Sequence, residues 1–142
     1  MRTLFVFIAL ALLILSSTCT SAAELEVVVS GLKNQKGYVH IALFNKAKHF
    51  PYHKGIYRED KTIISNGEAR LRFKKLSVGD YGVAIYHDEN SNQDFDQGFL
   101  GIPLEDYGFS NNAGVFFGPP SFEAAKFKVT GALTTIKIDL DG

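Results

Sequence analysis

The sequence is almost without sulfur: its 142 residues include one cysteine, one methionine and no tryptophan. The cysteine, Cys19, lies in an apolar leader, so removal of that leader leaves no thiol. Disulfides, a thiol nucleophile and cysteine-bound zinc are then excluded in any redox compartment. An excess of one charge is lacking too, with 15 Lys plus Arg against 15 Asp plus Glu. No basic stripe stands out, which argues against a nucleic-acid partner, whose binding draws on clustered phosphate contacts. There is no phosphate-cradling Gly-Lys-Ser loop and no dinucleotide fingerprint. Neither Ser110 nor Ser121 has a nucleophile-elbow context.

One long hydrophobic run is present, Leu4 to Leu15, preceded by Met1-Arg2-Thr3 and followed by small polar residues. It falls short of the roughly 20 residues that span a bilayer. Ser21-Ala22-Ala23 places small side chains where a signal peptidase reads them. The pattern predicts a signal peptide over residues 1–23, cleavage before Glu24 and a periplasmic or secreted domain over 24–142. It also predicts no membrane span after cleavage. Cys19 fits a lipidation site poorly, because Thr18 stands where a small Gly, Ala or Ser belongs and Ser16 where Leu belongs. The processed chain, about 119 residues with 14 basic and 15 acidic side chains, is one domain's worth.

Its pattern is that of strands. Leu25, Val27 and Val29 alternate with polar neighbours, as do Val39, Ile41 and Leu43; Ala69, Leu71 and Phe73; Tyr81, Val83 and Ile85; Phe127 and Val129; and Ile136, Ile138 and Leu140. Turn signals lie between them, at Asn34 to Gly37, Asn66-Gly67, Val78-Gly79-Asp80 and Thr130-Gly131. Asn66-Gly67 predicts a tight hairpin joining Thr62-Ile63-Ile64 to the Ala69 strand. Leu76 to Tyr81 matches the Leu-x-x-Gly-x-Tyr corner of Greek-key sandwiches. The expectation is an all-β fold: a single antiparallel Greek-key, immunoglobulin-like β-sandwich of about seven strands with one long ordered loop. That loop, Asn90 to Ser121, is rich in Gly, Asn, Asp and Pro, and its many aromatics argue for order.

The densest polar cluster runs from His87 to Asp96. Asp88, Asn90, Asn92, Asp94 and Asp96 put oxygen donors at alternate positions, the first to ninth places of a calcium-loop register. Calcium wants about six to eight such oxygens, with Asp94 suited to giving its backbone carbonyl. Two departures stand out: Gln93 replaces the turn glycine, and Phe99 occupies the place of the bidentate glutamate. The missing carboxylate would come from Glu105 or Asp106. The candidate metal set is therefore Asp88, Asn90, Asn92, Asp94, Asp96 and Glu105, with Ca2+ as the candidate cofactor. The competing reading is a hydrated turn in which Asn and Asp close on their own backbone.

Further motifs run along the same stretch: Gly101-Ile102-Pro103-Leu104-Glu105-Asp106-Tyr107-Gly108-Phe109-Ser110-Asn111-Asn112, then Phe117-Gly118-Pro119-Pro120-Ser121-Phe122 with Ala125. With Leu76 to Tyr81 and the His87 to Asp96 cluster, these resemble the bacterial family called domain of unknown function 2141. The resemblance covers essentially the whole processed chain. It implies an exported β-sandwich with no established activity, and it supplies no catalytic residues.

His49 and His53 have a zinc-like spacing, but Pro51 between them disfavours a helix and no third ligand is evident. Alternation puts His40 on a sheet's outer face and His87 on the face of Ile85 and Tyr81, where it would orient the Asp/Asn loop from beneath. Ser121 is placed to cap a short helical turn from Phe122 to Lys126. The function expected is a noncatalytic exported binding or structural module serving an unknown extracytoplasmic ligand or protein. In it the long loop presents Tyr107, Phe109 and Phe116. The alternative is a small extracytoplasmic hydrolase using Asp88, Glu105 and His87.

Overall fold

The computed structural model describes residues 22–141; the predicted leader lies almost wholly outside them. The described residues form nine strands: β1 (Ala23–Ser30), β2 (Tyr38–Phe44), β3 (Arg58–Thr62), β4 (Ile64–Ser65), β5 (Glu68–Leu76), β6 (Gly79–Asp88), β7 (Tyr107–Phe109), β8 (Phe127–Val129) and β9 (Leu133–Asp139). One helical turn, α1 (Phe122–Ala125), precedes β8. Two sheets result, one in the order β4-β5-β1-β9 and the other β3-β2-β6-β7, with β8 also pairing to β6. No described helix is long and apolar enough to cross a membrane.

The alternating residues account for the layering. In a strand, side chains at i and i+2 share a face. Leu25, Val27, Val29, Ala69, Phe73 and Ile138 of the first sheet meet Val39, Ile41, Leu43, Tyr81, Val83, Ile85 and Val129 of the second in one buried core. The Tyr81 hydroxyl donates to the Ser77 carbonyl at 2.9 Å, so the expected tyrosine corner forms at the start of β6. Asn66 and Gly67 both take positive φ, 53° and 79°, the primed turn their sequence predicts.

Three expectations are corrected. The strand count is nine, because the long loop adds β7 and because Thr62-Ile63-Ile64 is not one strand: β3 ends at Thr62 in the second sheet and β4 begins at Ile64 in the first. Between them Ile63 turns outward. The charged run Arg58–Thr62 carries no apolar alternation, yet it pairs along β2 as an edge strand, a place that favours charge. Nor is the sandwich purely antiparallel. β1 pairs with β5 antiparallel but with β9 parallel, from Glu24 opposite Leu133 to Ser30 opposite Asp139. Finally, the long loop contains β7, which lies antiparallel to β6 from Ala84 to Tyr86.

A second apolar cluster covers the outer face of the second sheet. Phe44, Phe50, Phe109, Phe122 and Ala125 are buried there, with Ala42, Ala84 and Tyr107 packed against them. Gly82 admits them: a Cβ on it would lie 3.1 Å from the Phe122 ring and 3.2 Å from Phe50. From this cluster a chain of rings runs along the sheet, Phe50 to Phe109 to Tyr107 to Phe95 to Tyr86. It ends with His40 stacked on Tyr86 at 4.6 Å. Such pairs contribute about 0.5–1.5 kcal/mol each beyond burial and so help to order the stretch between β6 and β7, which has no ladder to either sheet.

Candidate functional site

The long segment leaves β6 at Asp88, whose side chain points to the outer face and is fully buried. One carboxylate oxygen, Oδ1, accepts the Asn92 backbone N–H at 3.1 Å. The other accepts the Gln93 N–H at 3.0 Å and pairs with His40 Nε2 at 3.1 Å. Asp88 thus acts as an anchor that folds the loop back on its own strand. Beyond it, Asn90 Oδ1 accepts from the Asn92 N–H, and Asn92 Oδ1 from the Asp94 N–H, each at 3.0 Å. The side-chain amides of Asn90 and Asn92 donate to Asp96 at 2.6 and 2.8 Å. Glu105 also reaches the loop, accepting the Asp96 N–H at 3.1 Å.

Of the six residues read from the sequence as ligands, Asp88, Asn90, Asn92, Asp96 and Glu105 are therefore joined through one hydrogen-bonded loop. Asp94 enters through its backbone, and its side chain is exposed. Gln93, standing where a calcium loop has glycine, adopts the glycine-like φ of 69°. The oxygens of Asp88, Asn90, Asn92 and Asp96 are already engaged by N–H groups, whereas Glu105 Oε1 is buried without a partner. Burial raises the Glu105 carboxyl above its ordinary 4.5, and the charges of Asp96 and Asp88 push it the same way. Burial likewise pushes Tyr86 up to about 12, reinforced first by Asp88 and then Glu105.

The sequence places Tyr107, Phe109 and Phe116 on a ligand-facing surface, and two of the three are elsewhere. Phe109 is buried in the outer aromatic cluster and Tyr107 is half-buried beside it. Alternation in β7 and packing against β6 take them inward. The exposed apolar residues of the segment are Val115, Phe116 and Phe117 after β7 and, before it, Phe99, Leu100, Ile102 and Leu104 at 85, 82, 61 and 69% exposure. The latter four form a narrow tip closed by the Gln97–Pro103 bridge and by the Gly98 N–H donating to Ile102 O at 2.7 Å. Phe116 belongs to the part of the segment after β7, where a shallow depression is lined by Gly114, Phe116, Gly118, Pro119, Pro120, Ser121 and Ala124.

The two serines are structural. Ser121 Oγ accepts the Ala124 N–H at 3.2 Å and caps α1. Ser110 is buried, accepts the Val83 N–H at 2.9 Å and donates to Ala125 O at 2.6 Å.

His87 faces inward with Ile85, as its parity requires, but it binds a different loop from the one expected. Its Nε2 lies 2.7 Å from the Lys36 carbonyl in the β1–β2 connection. Sequence reasoning missed the acidic pair gathered near this ring. One ring nitrogen of His87 and one carboxylate oxygen each from Glu89 and Asp106 lie within 4.8 Å of one another. Spacing explains the group: Glu89 is two residues past His87, and Asp106 is its neighbour across the β6–β7 pair, with His87 N–H donating to Asp106 O at 2.8 Å. The His-x-Glu alternation was legible; the register bringing Asp106 alongside was not, because β7 gives no strand signal.

The family described as "Uncharacterized protein conserved in bacteria (DUF2141)" matches the chain over residues 27–137. No curated protein and no solved structure matches it.

Proposed function

The chain belongs to DUF2141, an uncharacterised bacterial family, and we propose that it is an exported, noncatalytic binding module whose β6–β7 segment carries the recognition surface. One observation carries this reading. A loop rigidly tied by Asp88, Asp96, Glu105 and the ring of Phe95 ends in four adjoining apolar residues that the fold does not bury. Ordering a loop costs conformational entropy, and apolar side chains held in water gain nothing from it within the domain. A partner's apolar surface supplies the missing burial. The signal-like pattern of residues 1–23 supports a partner outside the cytoplasm.

The finer fold assignment belongs to the same reading. The order β9-β1-β5-β4 against β3-β2-β6-β7, with a tyrosine corner opening β6, supports an immunoglobulin-like Greek key in which β9 stands at the edge beside β1.

Photocrosslinking in the producing cell tests the proposal. A photoreactive residue replacing Leu100 is expected to give a discrete adduct that Phe99→Ser with Ile102→Ser removes while secretion continues. Absence of any adduct at Leu100 counts against it.

Calcium enters as a second element because Glu105 Oε1 is a buried carboxylate oxygen with no partner beside Asp96 and Asp88. A hard cation there would draw on Glu105, Asp96 and the Asn90 and Asn92 side-chain oxygens. Chelation is then expected to lower the melting temperature and Ca2+ to restore it, since an ion bound by the folded state stabilises by mass action. A melting temperature indifferent to both removes the ion from the reading.

The hydrolase alternative draws on His87, Asp88 and Glu105. His87 and Asp88 are consecutive strand residues on opposite faces of β6, and neither lines the depression beside Phe116. That arrangement favours the noncatalytic reading.

A further inference from the structure

The His87 imidazole is fully buried at the end of the core, and its Nδ1 has no hydrogen-bond partner. The Lys36 carbonyl can only accept, so the nitrogen 2.7 Å from it, Nε2, carries the proton. In the neutral ring this leaves a bare lone pair on Nδ1. A buried acceptor with nothing to accept is costly, and a native structure retains one where a ligand fills the gap. Carboxylate oxygens of Glu89 and Asp106, both partly buried, and a nitrogen of this ring lie within 4.8 Å of one another.

We propose that His87 Nδ1, Glu89 and Asp106 form a binding site for a divalent cation of the zinc type. The donor set selects the metal class. A neutral imidazole nitrogen suits zinc and its borderline neighbours, whereas calcium takes oxygen. Three protein ligands leave a further position to water, as in open zinc sites. Ligand atoms around one zinc lie roughly 3.3 Å apart, so the group contracts from its 4.8 Å limit by side-chain rotation of Glu89 and Asp106.

The surroundings are those of a supported site. Metal-bound histidines characteristically donate their second nitrogen to a carbonyl, which fixes tautomer and ring orientation; Lys36 O does this here. Asn34 Nδ2 donates to Glu89 Oε2 at 2.8 Å and orients that carboxylate. A cation already stands at the edge: Lys33 Nζ lies 2.6 Å from Asp106 Oδ1. Its side chain is largely exposed, and its ammonium is held charged by the Asp106 hydrogen bond and, more weakly, by Glu89. An exposed flexible lysine withdraws into water when a divalent ion arrives. The site is separate from the Asp/Asn loop, because Asp88 points to the opposite face of the strand.

Titration of the purified, metal-stripped protein with Zn2+, followed by calorimetry and by the 15N resonances of the histidine rings, tests the assignment. One Zn2+ per chain is expected, with the His87 Nδ1 resonance moving and its Nε2–H retained. Excess Ca2+ should not displace it. Glu89→Gln and Asp106→Asn should each weaken binding by about tenfold or more. Lys33→Met should tighten it severalfold, and His87→Gln, which keeps a donor toward Lys36, should abolish it. If His87→Gln does not fold, the two carboxylate variants decide. Absence of saturable binding overturns the proposal, as do displacement by Ca2+ or Zn2+ binding that persists unchanged in folded Glu89→Gln and Asp106→Asn proteins.

Discussion

At the residue scale, two positions show how single side chains set the ends of β6. Gly37 has φ +67°, and a Cβ there would lie 1.8 Å from the Asp88 carbonyl oxygen. Only glycine lets the β1–β2 connection approach closely enough for Lys36 O to meet His87. Gly37→Ala combines left-handed strain with a backbone clash and is expected to cost about 2–4 kcal/mol, read as a lower urea midpoint. At the other end, Tyr81→Phe removes the hydroxyl bond to Ser77 and should cost about 1 kcal/mol. Burial raises the Tyr81 phenol above its ordinary 10. The folded state thus holds this proton more tightly than the unfolded chain, so the contribution is complete below pH 10 and is lost as pH rises through the folded value. Alkaline denaturation of Tyr81→Phe should accordingly show a shallower loss of stability above that pH.

Among the elements, the Ser110 hydroxyl joins β6 to α1 by accepting from Val83 and donating to Ala125. Asn111 adds bonds from its amide to Ala124 O and Lys126 O at 3.2 and 2.8 Å. Ser110→Ala leaves a buried N–H and carbonyl unpaired and should destabilise by about 2–3 kcal/mol in thermal unfolding, with faster hydrogen exchange at Val83. This knot joins residues of no periodic pattern, which is why the sequence does not announce it. What the sequence did show were elements whose cause is local: alternating β1, β2, β5 and β6, the Asn66-Gly67 turn, the tyrosine corner and the Ser121 cap. β3, β7 and the sheet change at Ile63 escaped because their cause is tertiary. β3 is a charged edge, and β7 has only three residues. The Asp88 loop was legible as a group of oxygens. The turns that Asn90 and Asn92 close on their own backbone were legible too, as the competing reading; that Asp88 holds the Asn92 and Gln93 N–H groups, and that His87 serves the β1–β2 connection, depended on contacts that spacing does not encode.

For the molecule as a whole, the exposed tip and the core are separable. Phe99→Ser with Leu100→Ser should leave the melting temperature within about 1–2 °C of the parent, since solvent-facing side chains contribute little to folding. An equal change at Phe73, 2% exposed in the core, should unfold the domain. The parallel pairing of β1 with β9 has a consequence in time. The strand at Ala23–Ser30 is made first, and its neighbour at Leu133–Asp139 emerges more than a hundred residues later. Until then β1 has β5 on one side and an open edge on the other. Such distant pairing slows folding, because the whole intervening chain must be closed into a loop before the contact repays it. Refolding in milliseconds to seconds, and a nascent chain that stays protease-sensitive until β9 is free, are the expected signatures. Such a delay would suit the export proposed above, because an unfinished sheet keeps the polypeptide threadable.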